Sequence, residues 1–177
     1  MLHVFVPEDL HFDDWELVQA ALTHYSVMGA RRTNDALSRL GEKVLRFALI
    51  TEIQNLEPQA SKQAWFLQTN LRFLTRFEFL ATYIESTLQL GPLTKSRELT
   101  EETAKKSAIL GKDAVQYRHS VVAKSTLALI GVMYKTMGES QTRLIIRTLF
   151  IDPYKDEAGK FQAPVLQPMQ IRQTGGL

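Results

Sequence analysis

Helical spacing runs through this chain almost without a break from Asp13 to Leu149, and that pattern points to an all-α fold. Leu37, Leu40, Val44, Leu45 and Ala48 recur at helical intervals, marking one face of a helix that starts at Thr33 or Asn34 and reaches about Leu56. An earlier helix begins at Asp13 or Asp14, either of which can cap it, and runs to about His24. Trp15, Val18, Ala21 and Leu22 share one side of it. Met28-Gly29-Ala30 connects the two. Pro58 fits the start of the next helical region, because the ring's missing N–H costs nothing in a first turn.

From Ser61 to Leu90 the pattern is apolar and aromatic. Phe73, Phe77, Leu80, Ile84 and Leu88 advance by four, three, four and four residues, which is one helix face. Leu67, Leu71 and Leu74 form a second stripe, so this segment is expected to be buried on much of its circumference, with its aromatic residues serving the core. Outside it, basic and aromatic residues do not interleave as they do in single-strand binders. Gly91-Pro92 ends the segment, and residues 93–112 read as a loop with a short helix ending at Gly111. Val121 to Met137 is the other strongly apolar helix. Gly131 in its middle costs ~1 kcal/mol against alanine, which predicts that another helix comes close there. A last helix, Gln141 to Phe150, follows. The segment from Asp152 onward carries Pro153, Pro164, Pro168 and Gly175-Gly176. It is expected to be extended, so residues 1–150 form the domain and 151–177 a tail ordered by partners.

Composition narrows the function classes. A chain of 177 residues that is 45% apolar can build one substantial core. No run of ~20 apolar residues offers a membrane span. The absence of cysteine removes disulfides, thiolate chemistry and cysteine-held zinc, and it fits a reducing compartment. Charge is unevenly placed. Residues 1–30 hold five acids and no base, whereas residues 31–147 hold 18 bases and 11 acids, a balance that suits a phosphate-rich partner. The first residues read neither as a secretory signal nor as an Arg-rich presequence.

Three blocks carry a more specific message. They are Ala21-Leu-Thr-His-Tyr-Ser26, Asn34-Asp-Ala-Leu-Ser-Arg-Leu-Gly-Glu-Lys-Val-Leu45 and Ala123-Lys-Ser-Thr-Leu-Ala-Leu-Ile-Gly-Val-Met-Tyr134. In order and rough spacing they resemble ribonuclease III, with its A-L-T-H-x-S turn, its N-E-R-L-E-F-L-G-D-x-V-L signature and its later A-D-x-x-E-A-L-I-G-A-x-Y helix. The resemblance covers about residues 13–150 and implies a ribonuclease III-type helical endonuclease domain. No double-stranded RNA-binding module follows it in the chain.

The resemblance also implies four carboxylates that hold magnesium, two at i and i+4 and two at i and i+3, each pair one helical turn apart. Their positions fall on Ser38, Glu42, Lys124 and Leu127. Three of the four acids are gone, so the resemblance implies a degenerate site with no catalytic residue, no metal and no cofactor. Lys124 is expected to meet Glu42 as an ion pair in the metal's stead. Where the family's docking aromatic stands, this chain has Arg39, and burying an arginine without an acid is costly. A heterodimer with another ribonuclease III-like domain is therefore expected in place of a symmetric homodimer. His24 reads as a packing or capping residue. Candidate contacts for RNA phosphates are Arg31, Arg32, Lys43, Arg46, Lys105, Lys106, Lys112, Arg118 and Lys124.

A basic, degenerate domain of this kind resembles the ribonuclease III-derived proteins of the mitochondrial ribosome's large subunit. That resemblance implies a structural role in the mitochondrial matrix, on ribosomal RNA, beside another ribonuclease III-like ribosomal protein and further ribosomal proteins. Two other readings stand beside it: a non-catalytic subunit of an RNA-processing complex, and an active small ribonuclease III.

Overall fold

One glycine on each of two long helices fixes how they meet. In the computed structural model, which describes residues 12–24, 27, 32–88 and 112–161, the helices are α1 (Phe12–Leu22), α2 (Asp35–Leu56), α3 (Ala64–Leu74), α4 (Phe77–Leu88) and α5 (Lys112–Phe150). Short 3₁₀ turns occupy Ala60–Lys62 and Asp152–Tyr154. A Cβ on Gly41 of α2 would lie 1.7 Å from the carbonyl oxygen of Leu127, and one on Gly131 of α5 would lie 2.4 Å from that of Leu37. The two backbones therefore touch, and only glycine fits at either place. Asn34 meets Ser125, Gly41 meets Gly131 and Glu52 meets Arg143, so α2 and α5 run side by side in the same direction. The close approach expected at Gly131 is present.

The core condenses around this pair. Leu45, Ala48, Leu49 and Ile53 of α2 pack with Ala123, Leu127, Ile130, Ile146 and Phe150 of α5, and with Leu74 and Leu80 of α3 and α4. Val18, Ala20 and Ala21 of α1 close a second cluster over Leu37, Ala128 and Val132. Asn34 takes the N-cap position of α2, as its sequence indicates, but its side chain does not cap the helix. Its Nδ2 instead reaches Ser125 Oγ at 3.4 Å, while its N–H donates to the Thr23 carbonyl at 2.9 Å. One buried residue thereby joins α2 to α5 and to the end of α1.

Three expectations are corrected. The stripe from Phe73 to Leu88 is two helices, because α3 ends at Leu74, where Thr75 folds its N–H and its hydroxyl back onto the Leu71 carbonyl. Phe73 and Phe79 do serve the core, 5.1 Å apart between ring centres, but Phe77 is 44% exposed and Trp65 is 64% exposed. The break expected after Met137, by contrast, is present at Gly138, whose φ of 78° and ψ of −178° interrupt α5. The extended tail is, over its first ten residues, a folded hook. Ile151 is buried, Tyr154 lies against Phe79, and Lys155 bridges to Phe161, which is only 5% exposed in the core. Gly159, at φ 75°, turns that hook, and Asp156 Oδ1 accepts from the Lys160 N–H at 2.8 Å. The domain thus continues past residue 150. The loop and short helix expected over residues 93–111, and residues 162–177 of the tail, lie outside the described residues.

Among the described residues no helix is long and apolar enough to cross a membrane. They hold no strand, only isolated bridges such as Lys155–Phe161. The glycine contact predicts a graded result. Gly131→Ala should cost up to about 2 kcal/mol net, because overpacking of about 1–3 kcal/mol is offset in part by the ~1 kcal/mol gained in helix propensity. Gly41→Ala should cost more, and urea melts of the two variants check the order; a Gly41→Ala protein as stable as wild type contradicts the packing described.

Candidate functional site

The four positions to which the resemblance assigns metal ligands lie along the stretch where α2 and α5 touch. Ser38 and Glu42 flank Gly41 on α2, and Lys124 and Leu127 precede Gly131 on α5. Ser38 is 6% exposed, and its hydroxyl donates to the Asp35 carbonyl at 2.9 Å. Leu127 is 4% exposed and belongs to the main core cluster. Lys124 is the one residue of the stretch 121–128, Leu129 being half-buried beyond it, that is not fully buried, and it is engaged within the chain.

Glu42 corrects the expected ion pair. Among the described residues its ionic partner is Arg46, one turn further along α2, at 3.3 Å. Glu42 is exposed on α2, and its carboxylate stands beside the next turn of its own helix. There an i, i+4 base is its natural neighbour.

A divalent ion needs several hard oxygen ligands converging on one point. Here a hydroxyl is committed to a backbone carbonyl, an isobutyl group is packed in the core, and the remaining carboxylate is turned to an arginine. The fourth group is an ammonium. These side chains do not fit a pair of magnesium ions. Among the described residues no cluster of three or more His, Asp or Glu side chains could hold a metal.

The basic candidates divide. Arg39, Lys43 and Arg46 lie on the exposed flank of α2, but Arg39 pairs with Asp35 at 3.0 Å and Arg46 with Glu42, so two of three charges are largely offset. Arg39 is exposed, with 76% of its side chain open to solvent. Arg32 pairs with Glu16 of α1 at 3.5 Å. Arg118 is exposed on α5 and has an interaction partner. Lys112 opens α5, although its side chain lies outside the described residues, as do Arg31, Lys105 and Lys106. His24 is buried at the end of α1, in keeping with a packing role.

The sequence reading passed over Glu52. It lies three, four and seven residues after Leu49, Ala48 and Leu45, on the buried face of α2, with no base four residues away on its own helix. A charge so placed requires a partner from elsewhere, and that signal was available. Arg143 of α5 supplies it at 2.8 Å, and Arg147 adds a second base at 3.9 Å that also reaches Asp152 of the hook.

Comparison with known proteins agrees with this architecture. No family model matches the chain. Two solved structures of the nuclease domain of ribonuclease III from Campylobacter jejuni superpose with TM-scores of 0.61 and 0.63, covering 79% of this chain and 91% and 86% of theirs. The fold is that of a ribonuclease III nuclease domain. Those two structures share 22% and 21% sequence identity with the chain, and one concerns flexibility in the region involved in dimer formation of that domain. Ribonuclease 3 of Caulobacter vibrioides, in strains NA1000 and CB 15, is 30% identical over 152 residues, or 84% of the chain. The match spans 60% of that enzyme's length.

A carboxylate placed at Leu127, the ribonuclease III position by resemblance, would enter the main apolar core cluster. Leu127→Glu should therefore lower stability by roughly 3 kcal/mol or more, whereas Lys124→Asp, at a half-buried position, should cost about 1 kcal/mol. Chemical denaturation of both variants reads this directly, and a Leu127→Glu protein of wild-type stability would mean that the crossing is open to solvent.

Proposed function

We propose that this chain is a non-catalytic ribonuclease III-like domain that binds RNA and a second domain of the same fold. It acts as a structural component of the large subunit of the mitochondrial ribosome. The observation that carries the non-catalytic part is the chemistry at the α2–α5 crossing: Ser38, Lys124 and Leu127 stand where hard-oxygen ligands are required, and Glu42 is held by Arg46. The ribonuclease III fold and the basic balance of residues 31–147 support RNA as the partner. Arg39, exposed and paired with Asp35 where the resemblance puts a docking aromatic, favours a partner domain whose pocket differs from the family's apolar one. The ribosomal assignment follows from resemblance of the sequence blocks.

One observation favours the competing reading of an active nuclease: the Caulobacter relatives bear the name ribonuclease 3 at 30% identity. The two readings separate in one assay. Incubated with double-stranded RNA and magnesium, the protein should leave the RNA intact; cleavage that disappears in Glu42→Gln would establish the enzyme. Fractionation of mitochondria on a density gradient tests the assembly. The chain should travel with large ribosomal subunits, and recovery with a processing nuclease alone, or only in free fractions, would replace the ribosomal role.

A further inference from the structure

The exposed face of α3 carries a second chemistry that the α2–α5 crossing does not use. Trp65, Gln68, Thr69 and Arg72 follow one another at i, i+3, i+4 and i+7, and all four are exposed. Lys62, in the 3₁₀ turn before α3, and Arg76, in the turn after it, are exposed as well. No acid occurs between Glu57 and Glu78, so three bases stand together without an opposing charge in the sequence. The ion pairs of the described residues lie elsewhere, on α1, α2, α5 and the hook. That contrast matters, because the bases of α2 at Arg39 and Arg46 are offset one turn away, whereas these three are not.

Trp65 sharpens the reading. An indole is large and apolar and is mostly buried in folded proteins, yet here 64% of it is open to solvent. It stands edge-on to Phe66, with ring centres 6.1 Å apart, and Phe66 packs against the core. The face around it holds an amide and a hydroxyl and no aliphatic group larger than Ala64, so it lacks the pockets that an apolar helix would need. A flat ring between cations, with neutral hydrogen-bonding groups beside it, matches a nucleic-acid strand: a base stacks on the ring, and phosphates meet the bases on either side. Trp65 and Arg72 are separated by ~10 Å along the helix, enough for a base and its neighbouring phosphates to be engaged together.

We propose that the α3 face formed by Lys62, Trp65, Gln68, Thr69, Arg72 and Arg76 binds an unpaired RNA segment by stacking on Trp65 and by phosphate contacts to the three bases. The inference deepens the RNA-binding reading given above and rests on it for the class of partner. It corrects the sequence expectation that the aromatic residues of this segment all serve the core.

The test uses the full chain with Trp15→Phe, which leaves Trp65 as the sole tryptophan. Titration with a single-stranded 12-mer oligoadenylate should quench Trp65 emission along the same isotherm as fluorescence anisotropy of the labelled RNA. Trp65→Ala should weaken binding roughly ten-fold while circular dichroism and thermal unfolding stay unchanged. Arg72→Ala and Arg76→Ala should each lower the slope of log affinity against log salt by about 0.7. The charge-matched Lys160→Ala should stay within two-fold of wild type. RNA binding that persists with no quenching and no loss in Trp65→Ala overturns this site and leaves the RNA-binding reading standing. An oligoglutamate peptide that quenches Trp65 and displaces the RNA at equal concentration overturns it in favour of a protein partner. No binding of any RNA by the wild-type chain overturns the wider reading and this site with it.

Discussion

Everything else in this fold is arranged around two backbones in contact. Gly41 and Gly131 remove the side chains that would hold α2 and α5 apart, and the Leu127 carbonyl oxygen occupies the space where a Cβ at position 41 would stand. Helices this close leave little room between them, so residues beside the crossing are either packed into it or pushed to its flank. Ser38 and Leu127 are packed in, whereas Glu42 goes to the flank. A pair of divalent ions would need carboxylates reaching the same point from both helices. This chain has the backbone geometry of the ribonuclease III fold with a hydroxyl, an isobutyl group and an ammonium at three of those positions.

The joint that remains is held by other means. Asn34 and Ser125 meet at the start of α2, and Glu52 meets Arg143 further along. The second contact reaches beyond the helix pair, since Arg147 bridges Glu52 to Asp152, and Lys155 pairs with Asp152 within the hook. Phe161 then closes the core from the far end of that hook. A half-buried pair such as Glu52–Arg143 is weak evidence for net stability, because desolvation offsets much of the attraction, but losing Arg143 strands the buried Glu52 charge. Its clearer effect is to fix the register between α2 and the part of α5 beyond Gly138.

Much of the fold was legible in the sequence because helical spacing and glycine placement are local signals. α2 begins where Asn34 predicts and ends at Leu56, and Gly131 announced the close crossing. The failures share a physical cause. The four-three-four-four stripe through Phe77 continues smoothly across the turn at Thr75, because spacing alone does not register a change of helix direction. Trp65 fits an apolar pattern, yet which face of α3 meets the core depends on α2 and α5, which are distant in sequence. The segment reads as extended because Pro153, Pro164, Pro168 and Gly175-Gly176 resemble linker residues, while Phe161 is an anchor visible only in three dimensions. At the candidate site, the identities of Ser38, Lys124 and Leu127 were plain from alignment to the family's motifs, but whether Glu42 would pair across the helices or with Arg46 on its own helix depended on side-chain placement that spacing does not register.

The central claim is that the α2–α5 crossing holds no divalent ion and works as a structural joint. Paramagnetic relaxation by Mn²⁺ tests it at residue resolution, since a bound ion broadens the amide signals around it. In ¹⁵N-labelled full-length protein titrated with Mn²⁺, the account predicts no saturable broadening at Ser38, Glu42, Lys124 and Leu127 beyond that of exposed acidic positions such as Glu157. Saturable broadening centred on those four amides, abolished by Glu42→Gln and reversed by excess magnesium, would contradict it.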